Sequence, residues 1–469
     1  MTTSDLLTRA REGADKLISH CLALRTGDHF TLFSDESTNE PAQLILAAAT
    51  HFGLQVRHRH VSIAEQVAFA GPGHLPLDDL RALDGARAVI TCLSNHTEGT
   101  RYRRELVQVG TTGGRRLGHM PGADVALLAN SVNIDYTLAL SRCDDLALAL
   151  TLGQRASLRT YAPAHGNDEP RQFELTFELG GLDRSPITST GVIPLGTWGN
   201  LPGGETFIAP IEDTANGTFV LNGAFKNYVL RPSQFLLLHF SRGRLEQIEG
   251  AGEARDRFES ILAVARSRSD DDFRGLAELG IGVNPGISEL TGNALFDEKC
   301  YGTAHIAIGD STRYGGSYYS DIHEDLITNR PSIFIDDHLI VDQGRFAFDP
   351  ADWRDVLSET PVDPRLFGSN GILTRTTLQA EIGPDEQLRV HREVTAGRIC
   401  VYTVGALDSS RLLGRLYQAI PSPGDGMRLN TFVEQAERDL SLIRFRRRQM
   451  KGGYDGADGR GLEEAAAAA

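Results

Sequence analysis

Cysteine is scarce and scattered in this chain: Cys21, Cys92, Cys143, Cys300 and Cys400 form no C-x-x-C pair. Such a set suggests neither a disulfide framework nor a thiolate zinc site, and a reducing cytoplasm is the compartment expected. Long apolar runs are missing as well. No stretch approaches the roughly 18 apolar residues that a membrane-spanning helix needs. The first residues, Met1 to Leu7, are polar and acidic, not a basic segment leading into an apolar one. The expectation is a protein neither exported nor embedded in a membrane. Net positive charge is lacking too: 47 Lys and Arg face 62 Asp and Glu, a formal charge of -15. That balance repels polyanions and argues against nucleic acid as a partner.

What is present is ordinary globular material. At 469 residues and 41% apolar content the chain is long enough for two or three domains, each with its own core. A helix is predicted to about Cys21, then a strand over His29 to Phe33, a helix over Pro41 to His51 and a strand over Leu54 to Val61. This is a β-α-β unit, and the apolar runs Ala88 to Leu93 and Val125 to Asn130 continue it. Residues 1–165 therefore read as an open α/β domain. The glycine-rich stretch Gly110 to Gly122 lacks G-x-G-x-x-G spacing after a strand and reads as a loop, not a phosphate cradle. Pro163, Gly166 and Pro170 mark a linker over Ala162 to Arg171.

Beyond it, strands are expected at Phe173 to Leu179, Thr218 to Leu221, Phe235 to Phe240, Ala304 to Ile308 and Ser332 to Val341, with a helix over Glu253 to Arg266. The fold class expected is α/β: an open N-terminal α/β domain, a β-rich α+β catalytic domain over 172–348, and an extension over 349–451. Within the extension Glu434 to Arg448 reads as a helix whose basic end carries Arg444, Arg446, Arg447 and Arg448. Residues 452–469 are low-complexity and expected to be disordered. No internal repeat is visible.

The chemistry concentrates between Glu205 and Asp325. In a strand, residues two apart share a face, so His323 and Asp325 can offer an imidazole and a carboxylate to one ion, although H-x-D alone is a weak signal and far more often a surface or hydrogen-bonded pair. His305 lies in the run Thr303-Ala-His-Ile-Ala-Ile-Gly309, and alone it also suits a satisfied core histidine. Glu278 sits among apolar residues, where a carboxylate must be paired, protonated or metal-bound. Glu205 follows the pair Gly203-Gly204, which lets backbone approach a site closely. Glu298 is set aside because Lys299 beside it offers a simple local partner.

Taken in order, several motifs carry a resemblance. They are Asn200-Leu-Pro-Gly-Gly-Glu205, Asp213 to Gly217, Ala277-Glu-Leu-Gly-Ile-Gly-Val-Asn-Pro285, Phe296-Asp-Glu-Lys299, Gly302-Thr-Ala-His-Ile-Ala-Ile-Gly309, His323-Glu-Asp325 and Asp337 to Arg345. Over residues 1–348 the chain resembles the aminopeptidase T family of metallo-aminopeptidases. The resemblance implies that Glu205, Glu278, His305, His323 and Asp325 hold two divalent ions, with zinc, cobalt or manganese expected and iron admissible. It also implies catalytic participation of Glu278, a homodimer, and hydrolysis of a small peptide or amino-acid amide next to its free amine.

The same superfamily includes ring-opening dihydroxypyridine dioxygenases, which hold one iron through two histidines and a carboxylate. In that branch a histidine stands where this chain has Glu278, and the positions of Glu205 and His305 are apolar; this chain follows the hydrolase pattern at all three. One departure counts against ordinary peptidase activity. The peptidases place a tyrosine seven residues after the histidine of the H-I-A-L-G motif, where this chain has Thr312. Tyr314 is the expected substitute, with Tyr318 and Tyr319 as neighbours able to serve. The connection from His305 to His323 is also short for the family, and the segment from Pro350 onward has no counterpart in it. A tailoring hydrolase or transferase acting on a small amide, the single-iron dioxygenase, and a scaffold with structural metals stand as the alternatives.

Overall fold

The computed structural model describes residues 2–162, 169–179, 186–193, 195–267, 272–312 and 315–348, and three strands between 376 and 404. The chain opens with α1 (Thr3–Lys16), β1 (His29–Ser34), α2 (Asn39–His51), β2 (Gln55–His60), α3 (Ile63–Val67) and α4 (Leu77–Leu83). It continues through β3 (Ala88–Cys92), α5 (Thr100–Thr111), β4 (Arg116–His119), α6 (Val125–Leu127) and α7 (Tyr136–Leu152). Then come β5 (Arg155–Ala162), β6 (Arg171–Glu178), β7 (Ile187–Ser189), β8 (Trp198–Asn200), β9 (Glu205–Ile208), β10 (Asn216–Leu221), β11 (Ala224–Phe225) and β12 (Tyr228–Val229). β13 (Leu236–Ser241), β14 (Arg244–Glu249), α8 (Glu253–Ser267), β15 (Leu276–Gly282), α9 (Ala294–Asp297), β16 (Thr303–Gly309) and β17 (His323–Asn329) follow. The last are β18 (Ser332–Ile335), β19 (His338–Asp342), β20 (Arg345–Phe346), β21 (Thr376–Ile382), β22 (Leu388–Val394) and β23 (Arg398–Val404).

The first sheet is parallel, in the order β2-β1-β3-β4-β8. Position in the sheet explains the side chains. Central β3, Ala-Val-Ile-Thr-Cys, is buried at every residue because elements cover both faces. Edge strand β2, Gln-Val-Arg-His-Arg-His, buries none. Helix α7 ties this layer to the next: Tyr136 and Ala139 join the first core, whereas Cys143, Leu146, Ala149 and Leu150 join the second. Its N-terminus is capped by Asp135, whose carboxylate accepts from the Thr137 and Leu138 amides.

Two antiparallel sheets follow. One has the order β14-β13-β10-β6-β5-β18-β19-β20, the other β17-β16-β15-β9-β7. Helix α8 packs on their shared core through Phe258, fully buried with its ring 5.7 Å from that of Phe225. Truncating such a side chain to alanine costs about 3–5 kcal/mol. Strands β21, β22 and β23 form a separate antiparallel sheet.

Four readings of the sequence are corrected. The apolar run Val125 to Asn130 is helical, α6 running into a π-helical turn over Leu128–Val132, with Asp124 accepting from the Leu127 amide at its start. The glycine-rich stretch read as a loop contains β4. The stretch 162–171 joins two paired antiparallel strands, since Ala162 stands opposite Arg171 in the β5–β6 ladder, so the second sheet begins at Arg155. The expected single strand Ser332 to Val341 is a hairpin. Asp336 and Asp337 turn it with φ of 47° and 68°, the pairing of positive values that a two-residue turn of matching twist demands. The helix expected at Glu434 to Arg448 and the tail 452–469 lie outside the described residues. Among the described residues no helix is long and apolar enough to cross a membrane.

Candidate metal centre

All five residues singled out from the sequence meet on one face of the β17-β16-β15-β9-β7 sheet. Glu205 opens β9, Glu278 is on β15, His305 on β16, and His323 and Asp325 on β17. Register explains how five large polar groups fit. Across the ladders Glu205 is opposite Gly282, His305 opposite Gly280, His323 opposite Gly309, and Ala307 lies between Glu278 and Asp325. Directly opposed residues share a face, so each functional side chain has a glycine or alanine beside it. The spacing is tight at Gly280, where an added Cβ would come within 2.1 Å of the His305 ring.

Glu278 is the hub. One of its oxygens is 3.2 Å from His305 Nε2 and the other 3.2 Å from His323 Nε2. His323 Nε2 is also 3.5 Å from Asp325 Oδ1, and His305 Nε2 is 3.9 Å from Glu205 Oε2. The His323 ring is oriented from behind: Nδ1 donates to the Asp310 carbonyl at 2.7 Å, which leaves Nε2 facing the carboxylates.

Burial and charge have pulled these groups apart electrostatically. Burial alone would lower the His305 pKa, but the hydrogen bond to Glu278 and the charges of Asp325, Glu278 and Glu205 outweigh it and push it up to about 9. His323 is likewise raised, its burial outweighed by Asp325 and Glu278. Burial would raise Glu278 and Asp325, yet their histidine partners hold Glu278 below the usual carboxylate range and Asp325 at about 2.

Three carboxylates and two imidazoles form a donor set suited to hard or borderline divalent cations. Glu278, His305 and Asp325 offer ligand atoms all within 4.8 Å of one another. Glu205 and His323, each within 4 Å of a member of that trio, bring further donors. His305 Nδ1 is buried without a hydrogen-bond partner, so nothing but the carboxylate side engages this ring. The residues fit a divalent cation on chemistry and on the way His323 is held.

Glu298 and Lys299 are the residues that sequence reasoning passed over. Glu298 lines the same cavity as Glu205, Glu278, His323 and Asp325, a space of about 400 Å³ walled in part by Trp198 and Phe207. Its carboxyl is pushed up to about 8 by burial and by the Glu205 charge, against the attraction of Lys299. Lys299 is fully buried and pairs with both Glu298 and Glu205. A Glu-Lys dipeptide within Leu295-Phe-Asp-Glu-Lys-Cys-Tyr301 was the available signal; local neutralisation explained it too easily.

The tyrosine question resolves in part. Tyr314 lies outside the described residues. Tyr318 is buried and committed elsewhere, its hydroxyl donating to Asp213 Oδ1 at 3.0 Å and accepting from the Asp213 amide. Tyr319 is 75% exposed, and Thr312 donates to Asp310 Oδ1 at 2.8 Å.

The fold joins a parallel α/β layer to an antiparallel sheet that gathers carboxylates and imidazoles able to hold a divalent cation. Known proteins resemble it in sequence and in fold. Residues 174–348 match the family described as NicX, 2,5-dihydroxypyridine 5,6-dioxygenase. A 2,5-dihydroxypyridine 5,6-dioxygenase of Pseudomonas putida KT2440 is 27% identical over 162 residues, 32% of this chain and 44% of that protein. The chain thus matches less than half the length of this curated relative. In fold, the solved 2,5-dihydroxypyridine dioxygenase of Pseudomonas putida KT2440 is similar at a TM-score of 0.54 and 18% identity, over 74% of this chain and 99% of that one. AmpT of Thermus thermophilus is similar at a TM-score of 0.51 and 16% identity, over 73% of this chain and 99% of that one. Residues 174–348 are thus similar in sequence to the NicX-type dioxygenases, and the chain shares the fold of both solved structures.

Proposed function

We propose that this protein is a dinuclear metal-dependent hydrolase that cleaves an amide or peptide bond next to a free amine on a small substrate. The observation that carries the reading is Glu278, which turns one carboxylate oxygen to His305 and the other to His323. A carboxylate so shared suits two cations, with Glu205, His305, His323 and Asp325 as the remaining ligands. A single iron held by two histidines and one carboxylate would use fewer of the buried carboxylates gathered here than a paired site does. When bound, two divalent cations supply Lewis acidity toward a carbonyl and bring the pKa of a water toward neutrality.

The chain's own residues do the rest. Lys299 holds Glu205 in place, Asp310 holds the His323 ring, and the glycine and alanine neighbours keep the five side chains close. A cavity near 400 Å³ suits an aminoacyl amide or short peptide and excludes a folded polypeptide.

A second reading rests on the comparisons: the matching family and the curated relative are both named as 2,5-dihydroxypyridine dioxygenases. One experiment separates the two. Metal content is measured by mass spectrometry on protein purified without added metal or chelator. Turnover of an aminoacyl-amide panel is then followed beside oxygen consumption with 2,5-dihydroxypyridine. Two zinc, cobalt or manganese ions per chain with amide hydrolysis, abolished in His323→Ala, supports the hydrolase. One iron with oxygen uptake overturns it in favour of ring cleavage.

A further inference from the structure

A second polar pocket lies in the parallel layer, separated from the metal cavity by Trp198. It is a groove of about 650 Å³ along one face of α5, where Thr100, Arg103, Arg104, Val107 and Gln108 recur at helical spacing, closed on the other side by His119 and Trp198. Position in the sheet favours a ligand. The order β2-β1-β3-β4-β8 reverses direction at β1 and β3, and open parallel sheets bind ligands outside the carboxyl ends of their strands at such a point. The loop leaving β3 runs directly into α5, whose amino end adds partial positive charge.

Of the residues lining it, Arg103 carries a buried donor without an acceptor, and His96 behind it carries another. Arg103 is only 5% exposed; its Nη2 donates to the His96 carbonyl at 2.9 Å and to Thr100 Oγ1 at 3.1 Å, but its Nη1 has no hydrogen-bond partner. His96 Nδ1 accepts from the Gly99 amide at 3.0 Å, so in the neutral ring the proton sits on Nε2, which is buried and also without a partner. Both nitrogens crowd Gly99: a Cβ there would lie 2.8 Å from each. Two carboxylates are near: Glu98, exposed, stands 3.6 Å from His96 Nδ1 and does not reach Nε2, and Asp35 is engaged by the Ser94 amide at 2.6 Å, the Gln66 amide group at 2.9 Å and the Ser37 amide at 3.0 Å. Although the protein's net charge is -15, no Asp or Glu lines the groove. A buried guanidinium with a free donor is costly unless an anion completes it.

We propose that this groove is a second ligand site, taking the carboxylate of a small aromatic acid on Arg103 and Arg104 and its ring against Trp198. Arg103 supplies the buried, oriented donors; Arg104 is exposed at the groove and adds charge. Trp198 is 53% exposed and also lines the metal cavity, so a ring bound in the groove lies against a wall shared with the catalytic space. Binding in the groove does not depend on the proposed metal chemistry.

The chain has two tryptophans, so the full-length Trp353→Phe protein reports on Trp198 alone. Benzoate is titrated into this metal-loaded protein while Trp198 fluorescence is followed, with benzamide as the neutral isostere. Saturable binding of benzoate but not benzamide is expected. It should weaken at least tenfold in Arg103→Met and in Arg104→Gln, with metal content unchanged by mass spectrometry. The Arg104 variant changes an exposed side chain and keeps the test open should the Arg103 variant misfold. Equal binding of benzamide, no saturation into the millimolar range, or undiminished binding in Arg104→Gln would each overturn the proposal. So would benzoate binding that disappears on chelation while both arginine variants bind normally.

Discussion

Lys299 Nζ stands 2.8 Å from Glu205 Oε1 with both side chains sealed from solvent, joining the segment before β16 to the first residue of β9. Removing one partner of a buried ion pair strands the other, typically at about 3–5 kcal/mol. If Glu205 is also a metal ligand, a bound cation takes over part of that neutralisation. Lys299→Met should therefore be strongly destabilised after chelation and markedly less so when metal-loaded. Denaturant unfolding of both proteins in both states reads this directly. An equal loss in the two states would mean that Glu205 does not face a cation.

How much of this was legible beforehand depended on whether the deciding contacts were local. β1 and β3 could be read because their burial comes from runs of adjacent apolar residues. The five candidate ligands were singled out through the order of their motifs, and the structure brings them onto one face of a sheet. Lys299 was not, because its partner Glu205 comes from another strand of the sheet, while Glu298 beside it supplied a sufficient local explanation. β8 is three residues, Trp-Gly-Asn, and its pairing with β4 is a long-range event without a periodic signature. The connection between β5 and β6 was read as a linker because proline and glycine punctuate hairpin connections and linkers alike; only the paired register of the strands distinguishes them. Val125 to Asn130 misled for the opposite reason: a short apolar run carries no periodicity that separates strand from helix, and the Asp124 cap decided it.

The register around the cluster makes Gly280 a sensitive position. Gly280→Ala places a methyl group where the His305 ring now lies, 2.1 Å from its Nε2 and Cε1, so the ring must move while the strand pairing can persist. Displacement of one ligand by an ångström or more should cost on the order of 10² in turnover. Metal stoichiometry should fall in step, with far-ultraviolet circular dichroism unchanged. Full metal content in this variant would show that His305 is not needed to hold it.

Acid sensitivity should arise partly beside the edge strand β2. The hydrogen bond from Arg59, at 2.9 Å, and those from the Ser62 hydroxyl and amide hold Glu65 at about 2, against an ordinary value of 4.5. A folded pKa below the unfolded one means stability that is fully present above pH 4.5 and lost as the pH falls through 2. Glu65 is 47% exposed, so solvent and salt screen the effect. Glu65→Gln should destabilise the protein at pH 6 and converge on the parent as the pH approaches 2, with added salt shrinking the gap. Unfolding midpoints of the two proteins across that range test it; a constant difference at all pH values would count against the pair.

The shared role of Glu278 makes a stoichiometric prediction that no activity assay can supply. Glu278→Gln keeps the side chain's size but removes the charge that both histidines face, whereas Glu205→Gln alters a group that lies near His305 alone among the ligands. If Glu278 serves two cations, its variant should lose both, while the Glu205 variant should keep about one per chain. Mass spectrometry after exhaustive dialysis against metal-free buffer counts them, and binding competition with a coloured chelator gives the affinity of whatever remains. Retention of one tightly held ion in Glu278→Gln would show that a cation can be kept without the shared carboxylate, which is the behaviour of a mononuclear site built on the histidines and Asp325.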